Sequence, residues 1–320
     1  MQIRFLLEIV RERQMKTIAQ FVKDRITSLP DLQDALQTAM QLEFSTIPPY
    51  LCAQWSIDSD PNGVADMIGD IVVQEMYHFA LAGNMLTAIG GVPSIANAAF
   101  IPSYPTNALP GGIPQKLAVD LKPLTPEQAQ VFMQIEYPEF PPVALAVGPA
   151  TIGAFYDTIA EGFTTLNPAI NPNAFAVNSG EAKPTKSVAD TLAAISLIKG
   201  EGEGTAGSPD QPPAGNKTFA HYYVFKEIFI GKTLVQDAAG HWSFTGPAIQ
   251  FPTWFNFQQS TITPTPSFPF NQALSQLLIG LQACWTSGAS PNIGAMFNLQ
   301  NLGVGLIKQG IRPEFLWTPV

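Results

Sequence analysis

Charge is what this 320-residue sequence has least of. Asp, Glu, Lys and Arg together make up 13% of it, about half the ~25% usual in soluble proteins. The balance is acidic, with 16 Lys and Arg against 25 Asp and Glu and a formal net charge of −9. No basic cluster stands anywhere in the chain, which argues against nucleic-acid binding, since phosphates are met by Lys and Arg. Cysteine is confined to Cys52 and Cys284, too few for a disulfide framework or a thiolate zinc site. Read as free thiols, they suit a reducing, cytoplasmic setting. No apolar run reaches 18 residues, so no membrane span is expected. The opening segment, Met1 to Arg13, is amphipathic, but Glu8 breaks its apolar run and no targeting signal is read from it. A Gly-x-Gly-x-x-Gly turn after a strand and a Gly-x-Ser-x-Gly elbow are both missing. Gly200, Gly202 and Gly204 alternate with Glu201 and Glu203, which would repel a phosphate rather than cradle it. Histidine occurs three times, at positions 78, 221 and 241.

Hydrophobic residues are plentiful at 46%, and proline is frequent, with 29 in the chain. The apolar residues recur at three- and four-residue spacing over 31–47, 62–89, 124–137, 150–166, 186–200 and 218–230, the period of a helix with one buried face. Two further helices are expected near 270–286 and 293–309. Prolines serve as punctuation: Pro48-Pro49 is read as ending or kinking the first helix, and Thr125-Pro126-Glu127 as opening another. Residues 91–123 read as a long Pro- and Gly-rich crossover that could roof a pocket, and 232–254 as a small hairpin. The expectation is one predominantly α domain over 1–320, with a bundle core at about 30–230 and the hairpin and C-terminal helices at about 231–320.

Against this apolar background, inward carboxylates stand out. Glu43 follows Ala39, Leu36 and Leu32 by four, seven and eleven residues, which places it on the buried face of its helix. Glu75 follows Ile71 and Ile68 by four and seven, and His78 comes three residues later on the same side. An unpaired buried carboxylate is costly. An ion pair or a hydrogen-bonded core residue is the ordinary remedy for each taken singly. Taken together they fit another chemistry: Glu-x-x-His on one helix beside a Glu on its neighbour is how di-iron and di-manganese bundles build half of a metal site.

The second half must come from the remaining acids and histidines. His221 precedes Val224, Phe225 and Ile228 by three, four and seven and faces inward, whereas His241 sits in the hairpin beside Asp237 and Gly240 and is expected in solvent. Glu203 is read with His221 as a split Glu/His pair, and Glu201 competes for the same role. Glu136 follows Phe132 and Ala129 by four and seven; Glu161 lies two residues off the Ile159 and Phe163 stripe. Periodicity favours Glu136 over Glu161 without excluding the latter. Gln74, Tyr77 and Tyr156 are candidates to orient the ligands, and Cys52 is read as structural.

Several of these segments occur together in an order that resembles a known family. They are Leu42-Glu43 through Tyr50-Leu51, Gln74-Glu75-Met76-Tyr77-His78 through Pro93, Ile135-Glu136-Tyr137-Pro138-Glu139, Ile152 to Tyr156, Gly202-Glu203-Gly204-Thr205, and His221 to Phe225. They resemble the ferritin-like domain of the iminophenyl-pyruvate dimer synthase family, over roughly residues 30–310. The resemblance implies an all-α, ferritin-like bundle with long Pro-rich crossovers. It implies a non-haem site of two irons, with manganese as the alternative, drawn from Glu43, Glu75, His78, Glu136, Glu161, Glu203 and His221. Members in bisindole pigment pathways are larger, multidomain enzymes that oxidatively couple two imines of aromatic 2-oxo acids. The function expected here is an oxidoreductase acting with O₂ on a small aromatic or amino/imino-acid-derived substrate in a specialised-metabolite pathway. The alternatives are an iron-binding or storage protein and a metal-free scaffold. The partners expected are O₂ and the small-molecule substrate, with no nucleic acid and no membrane, and self-association into a homo-oligomer is left open.

Overall fold

The computed structural model describes residues 16–113, 116–138, 151–202, 204, 208–209 and 219–319. Its helices are α1 (Ile18–Asp24), α2 (Leu29–Trp55), α3 (Val64–Ala88), α4 (Pro126–Ile135), α5 (Ile152–Leu166), α6 (Val188–Glu201), α7 (His221–Ile230), α8 (Phe268–Ser287) and α9 (Ile293–Lys308). Strands are few and short among the described residues. β1 (Ile57–Ser59) pairs antiparallel with β4 (Thr253–Trp254), and β2 (Val235–Gln236) with β3 (Trp242–Ser243). The second pair is the hairpin expected from the turn residues around Asp237 and Gly240.

The helix starts follow local chemistry. Ser28, Thr125, Thr151 and Ser187 each accept a first-turn amide with the side chain, and Asp60 accepts those of Val64 and Ala65 at 2.8 Å each. Such caps satisfy amides that have no partner within the helix. The long helices α2 and α3 lie antiparallel: Gln33, near the start of α2, donates to Ile89 O beyond the end of α3, while Gln54, near the end of α2, donates to Ala65 O. Gly83 permits a close approach on the outer side, since a Cβ there would meet the Trp285 ring of α8 at 2.6 Å.

The second half of the bundle is built differently. Helix α4 packs on α7 and α5 on α6, while α5 also rests on α2, and α6 and α7 rest on α3. This is the pairing of an antiparallel hairpin whose two arms are each broken midway. The breaks fall at Glu136, which caps the end of α4, and between Glu201, the last residue of α6, and His221, the first of α7. One apolar cluster runs from Ile18 through the bundle to Phe315, with a smaller one around Tyr222, Tyr223 and Leu234 beneath the hairpin.

Two expectations need correction. Pro48 and Pro49 do not end α2, which continues to Trp55. A proline inside a helix removes the bond to the carbonyl four residues earlier. The carbonyl orphaned by Pro49 is that of Ser45, and the Tyr104 hydroxyl donates to it at 2.6 Å. A partner 59 residues away thus replaces a helical hydrogen bond. The crossover at 91–123 supplies no described residue to the lining of the interior pocket either. It supplies Tyr104 to α2 and packs the Phe100 ring at a tilt against Phe44 and Phe79, with ring centroids 5.1 and 6.1 Å apart.

Replacing Tyr104 by Phe should leave the Ser45 carbonyl buried and unpaired and lower the unfolding free energy by about 1–3 kcal/mol. Adding Pro49→Ala restores the missing amide, so in urea unfolding most of that loss should vanish in the double variant. Additive effects of the two substitutions would contradict this pairing.

Candidate metal centre

Glu43 projects from α2, and Glu75 and His78 from α3, on the facing sides of the continuous pair. Glu136 and His221 reach the same point from the broken half. All five are buried. They form two triads, Glu43 with Glu75 and His78, and Glu75 with Glu136 and His221, and within each triad one ligand atom per residue lies within 4.8 Å of the others. Glu75 belongs to both. The two imidazoles stand 5.8 Å apart at an interplanar angle of 20°. His78 Nδ1 lies 3.6 Å from Glu43 Oε2, and His221 Nδ1 lies 3.0 Å from Glu75 Oε1 and 3.5 Å from Glu136 Oε2.

Polar side chains hold the carboxylates in place. Tyr156 donates to Glu43 Oε1 and Tyr50 to Glu136 Oε1. The Thr46 hydroxyl sits 2.9 Å from Glu75 Oε2 and 2.8 Å from the Glu43 carbonyl. Phe132 and Phe225 pack on the Tyr50 ring at 4.6 and 5.1 Å and close one side of the site to water. Gly202 places its backbone beside Glu136, where a Cβ would come to 3.8 Å from Oε2.

A ferritin-like family model matches residues 36–230. The chain belongs to the ferritin-like family. Its fold also matches the crystal structure of a ferritin-like protein from Caulobacter vibrioides, with a TM-score of 0.69 and 22% identity over 91% of this chain and 99% of that one. No curated protein matches the chain.

The donors of this ferritin-like chain fit a metal pair. His221 Nε2 lies 3.0 Å from Gln74 Oε1, an acceptor, so Nε2 donates there and Nδ1 is the nitrogen turned toward the carboxylates. That Nδ1 is buried and makes no aligned hydrogen bond, although a carboxylate oxygen is only 3.0 Å away. In the ion-free chain a proton on Nδ1 answers the surrounding carboxylates, and a cation bound there would take its place. The Glu43, Glu75, His78 triad would hold one ion and the Glu75, Glu136, His221 triad the other, with Glu75 spanning both. Carboxylate oxygen and imidazole nitrogen suit iron or manganese. Glu43, Glu75, Glu136 and the adjoining Glu201 carry four negative charges when ionised, which two divalent cations match.

The protons of the ion-free cluster reflect the same imbalance. Burial pushes the Glu75 carboxyl up to about 7, with help from Glu136 and Glu43 and against the pull of His221. Burial alone would lower His221, but Glu136 and Glu75 outweigh it and raise it to about 9. His78 is likewise raised, because Glu201 and Glu43 overcome its desolvation. Burial and then Glu136 drive the Tyr50 phenol upward, so it stays a proton donor.

The other expected residues lie elsewhere. Glu161 is outside the cluster: 53% of its side chain is exposed, and it pairs with Arg25 at 3.1 Å. Two residues off the apolar stripe of α5 is about 200° around the helix, which turns it to the opposite face. Glu203 lies outside the described residues, so its place is not assigned. Glu201 is buried and holds His78 Nε2 at 2.9 Å, behind the ring and not among the inner donors. His241 is exposed and faces Asp237 at 3.4 Å. Tyr77 packs its hydroxyl end against Gly180. Thr46 and Tyr50 escaped the sequence reading, although they follow Glu43 by three and seven residues and share its face. Glu181 did too: its carboxyl rests against Glu201, and burial and that neighbour raise its pKa.

Below their ordinary values of 4.5 and 6.5, Glu75 and His221 are both protonated in folded and unfolded chains, and their stabilising contribution is complete. It is lost as pH rises through about 7 for Glu75 and about 9 for His221. Metal loading replaces those protons. The gap between the thermal midpoints of iron-loaded and chelator-treated protein should therefore widen between pH 4.5 and 9, and a constant gap would contradict the assignment.

Proposed function

We propose that this chain is a di-metal carboxylate oxidoreductase, with two irons as the cofactor, that passes electrons from a small organic substrate to O₂. The observation that carries the reading is the sharing of Glu75 by two buried carboxylate–histidine triads, each with an imidazole Nδ1 turned inward. A pair of redox-active ions bound there would supply one-electron chemistry toward dioxygen. The protein's part is to bind and orient. Thr46, Tyr50 and Tyr156 fix the carboxylate oxygens, and the phenols hold protons at Glu136 Oε1 and Glu43 Oε1.

A cavity of about 30 Å³ adjoins the cluster, lined by Leu42, Ile135, Ile152, Tyr156 and Ile198 around the acids. That is room for roughly two water-sized molecules, so it suits O₂. An organic substrate would approach at its half-exposed rim, formed by Ile152, Lys199 and Gly202. The resemblance to the iminophenyl-pyruvate dimer synthase family supports an aromatic amino- or imino-acid-derived substrate and an oxidative coupling. The small cavity also favours a second reading, an iron-binding or storage role in which iron itself is the substrate. Among the described residues no helix is long and apolar enough to cross a membrane.

Protein purified without chelator should contain about two irons per chain, with Glu75→Ala losing most of both because that residue serves both positions. Metal content well below one per chain in the unaltered protein would sink the metal reading. Oxygen consumption stimulated by aromatic amino, imino or oxo acids supports the oxidoreductase. Iron uptake far beyond two per chain, with no such stimulation, supports storage instead.

A further inference from the structure

The two histidines are gripped from behind by different chemistry. His78 Nε2 meets a carboxylate oxygen, Glu201 Oε2, at 2.9 Å, and His221 Nε2 meets an amide oxygen, Gln74 Oε1, at 3.0 Å. The two holders also bind each other, because Gln74 Nε2 donates to Glu201 Oε1 at 3.2 Å. The orientation of the amide follows from these contacts. An ionised carboxylate only accepts, so the Gln74 nitrogen must face Glu201 and its oxygen must face His221. Both rings then point a donating Nε2 outward and turn Nδ1 to the interior, where a metal would replace its proton.

The inner donors are closely matched on the two sides. Each position has one imidazole Nδ1, a share of Glu75, and one further carboxylate that receives a tyrosine hydroxyl, Tyr156 on Glu43 and Tyr50 on Glu136. The difference between the positions lies in the outer pair. A carboxylate behind an imidazole makes the ring a stronger ligand and adds a full negative charge nearby, whereas an amide orients the ring without that charge.

We propose that Gln74 and Glu201 are positioning residues that make the two metal sites unequal, so that the position at Glu43, Glu75 and His78 takes a divalent cation first and more tightly. This rests on the metal reading above. The bridge from Gln74 to Glu201 keeps both rings in register, and the order of filling is set by which ring has the carboxylate.

Cobalt(II) titration of the chelator-treated full chain, followed by visible absorption and calorimetry, tests this. Two equivalents should bind, the first about 10–100-fold more tightly. Glu136→Ala should keep one cobalt at the tight constant, and Glu43→Ala one at the weak constant. Glu201→Gln should weaken the first equivalent by about 10–100-fold and leave the second unchanged. The decisive variant is the exchange Gln74→Glu with Glu201→Gln, which conserves the bridge and its volume. Combined with Glu43→Ala or Glu136→Ala, it should move the tight constant to the Glu75, Glu136, His221 position. A purely structural role would not reverse the order. Equal constants in the unaltered protein, the opposite ranking of the two single-site variants, or an exchange that leaves the order unchanged would each overturn the proposal while leaving a metal-binding protein. Failure to bind any cobalt would overturn both this proposal and the metal reading.

Discussion

The structure is organised around negative charge brought into an apolar interior. Glu43, Glu75 and Glu136 are buried within a short distance of one another, and no Lys or Arg side chain is paired with them among the described residues. Two imidazoles are the only titratable bases at hand, and in the ion-free chain they answer the carboxylates by holding protons more tightly than usual. Much of the surrounding architecture serves to make this burial tolerable. Hydroxyls from α2 and α5 meet the carboxylate oxygens, aromatic rings exclude water, and helix ends bring backbone close to Glu136. A core that concentrates carboxylates and supplies little positive charge is suited to cations that the chain itself does not provide.

The two halves of the bundle divide the labour unequally. The continuous helices α2 and α3 supply Glu43, Glu75 and His78 from positions fixed by regular helical geometry. The broken half supplies Glu136 and His221 from helix ends. It also places Glu201 behind His78, where a regular four-helix arrangement would call for an inner donor. Breaking the arms gives each of these residues its own backbone direction, at the expense of the repeat that makes a helical ligand pattern recognisable.

That contrast explains what could be read from the sequence. Glu43, Glu75 and His78 stood out because a charged residue on an apolar stripe violates the 3.6-residue period. The α-helical character, the hairpin and the terminal helices followed from periodicity and turn chemistry. The passage of α2 through two prolines was not legible, because the group that compensates Pro49 is Tyr104, far away in the chain. Stopping the helix at Pro48 also hid Tyr50, which is on the Glu43 face only if the helix continues. Glu161 could be discounted only once α5 was oriented, since a position two residues from a stripe is ambiguous until the width of the buried face is known. Gln74 was legible as a residue that could orient a ligand, but which ring it holds, and the place of Glu201 behind His78, depend on hydrogen bonds between helices that no local pattern encodes.

The breaks in the second half of the bundle also bear on how such a protein diversifies. The segments at the start of α5, with Ile152, and at the end of α6, with Lys199 and Gly202, form the rim of the cavity, while α2 and α3 run past the site unbroken. Insertions and replacements in those segments would alter what approaches the site without shifting the register of Glu43, Glu75 and His78. A lineage can therefore vary what reaches the site in one half while the other keeps its buried carboxylates and imidazole in place, so that change at the rim is uncoupled from change in the cluster.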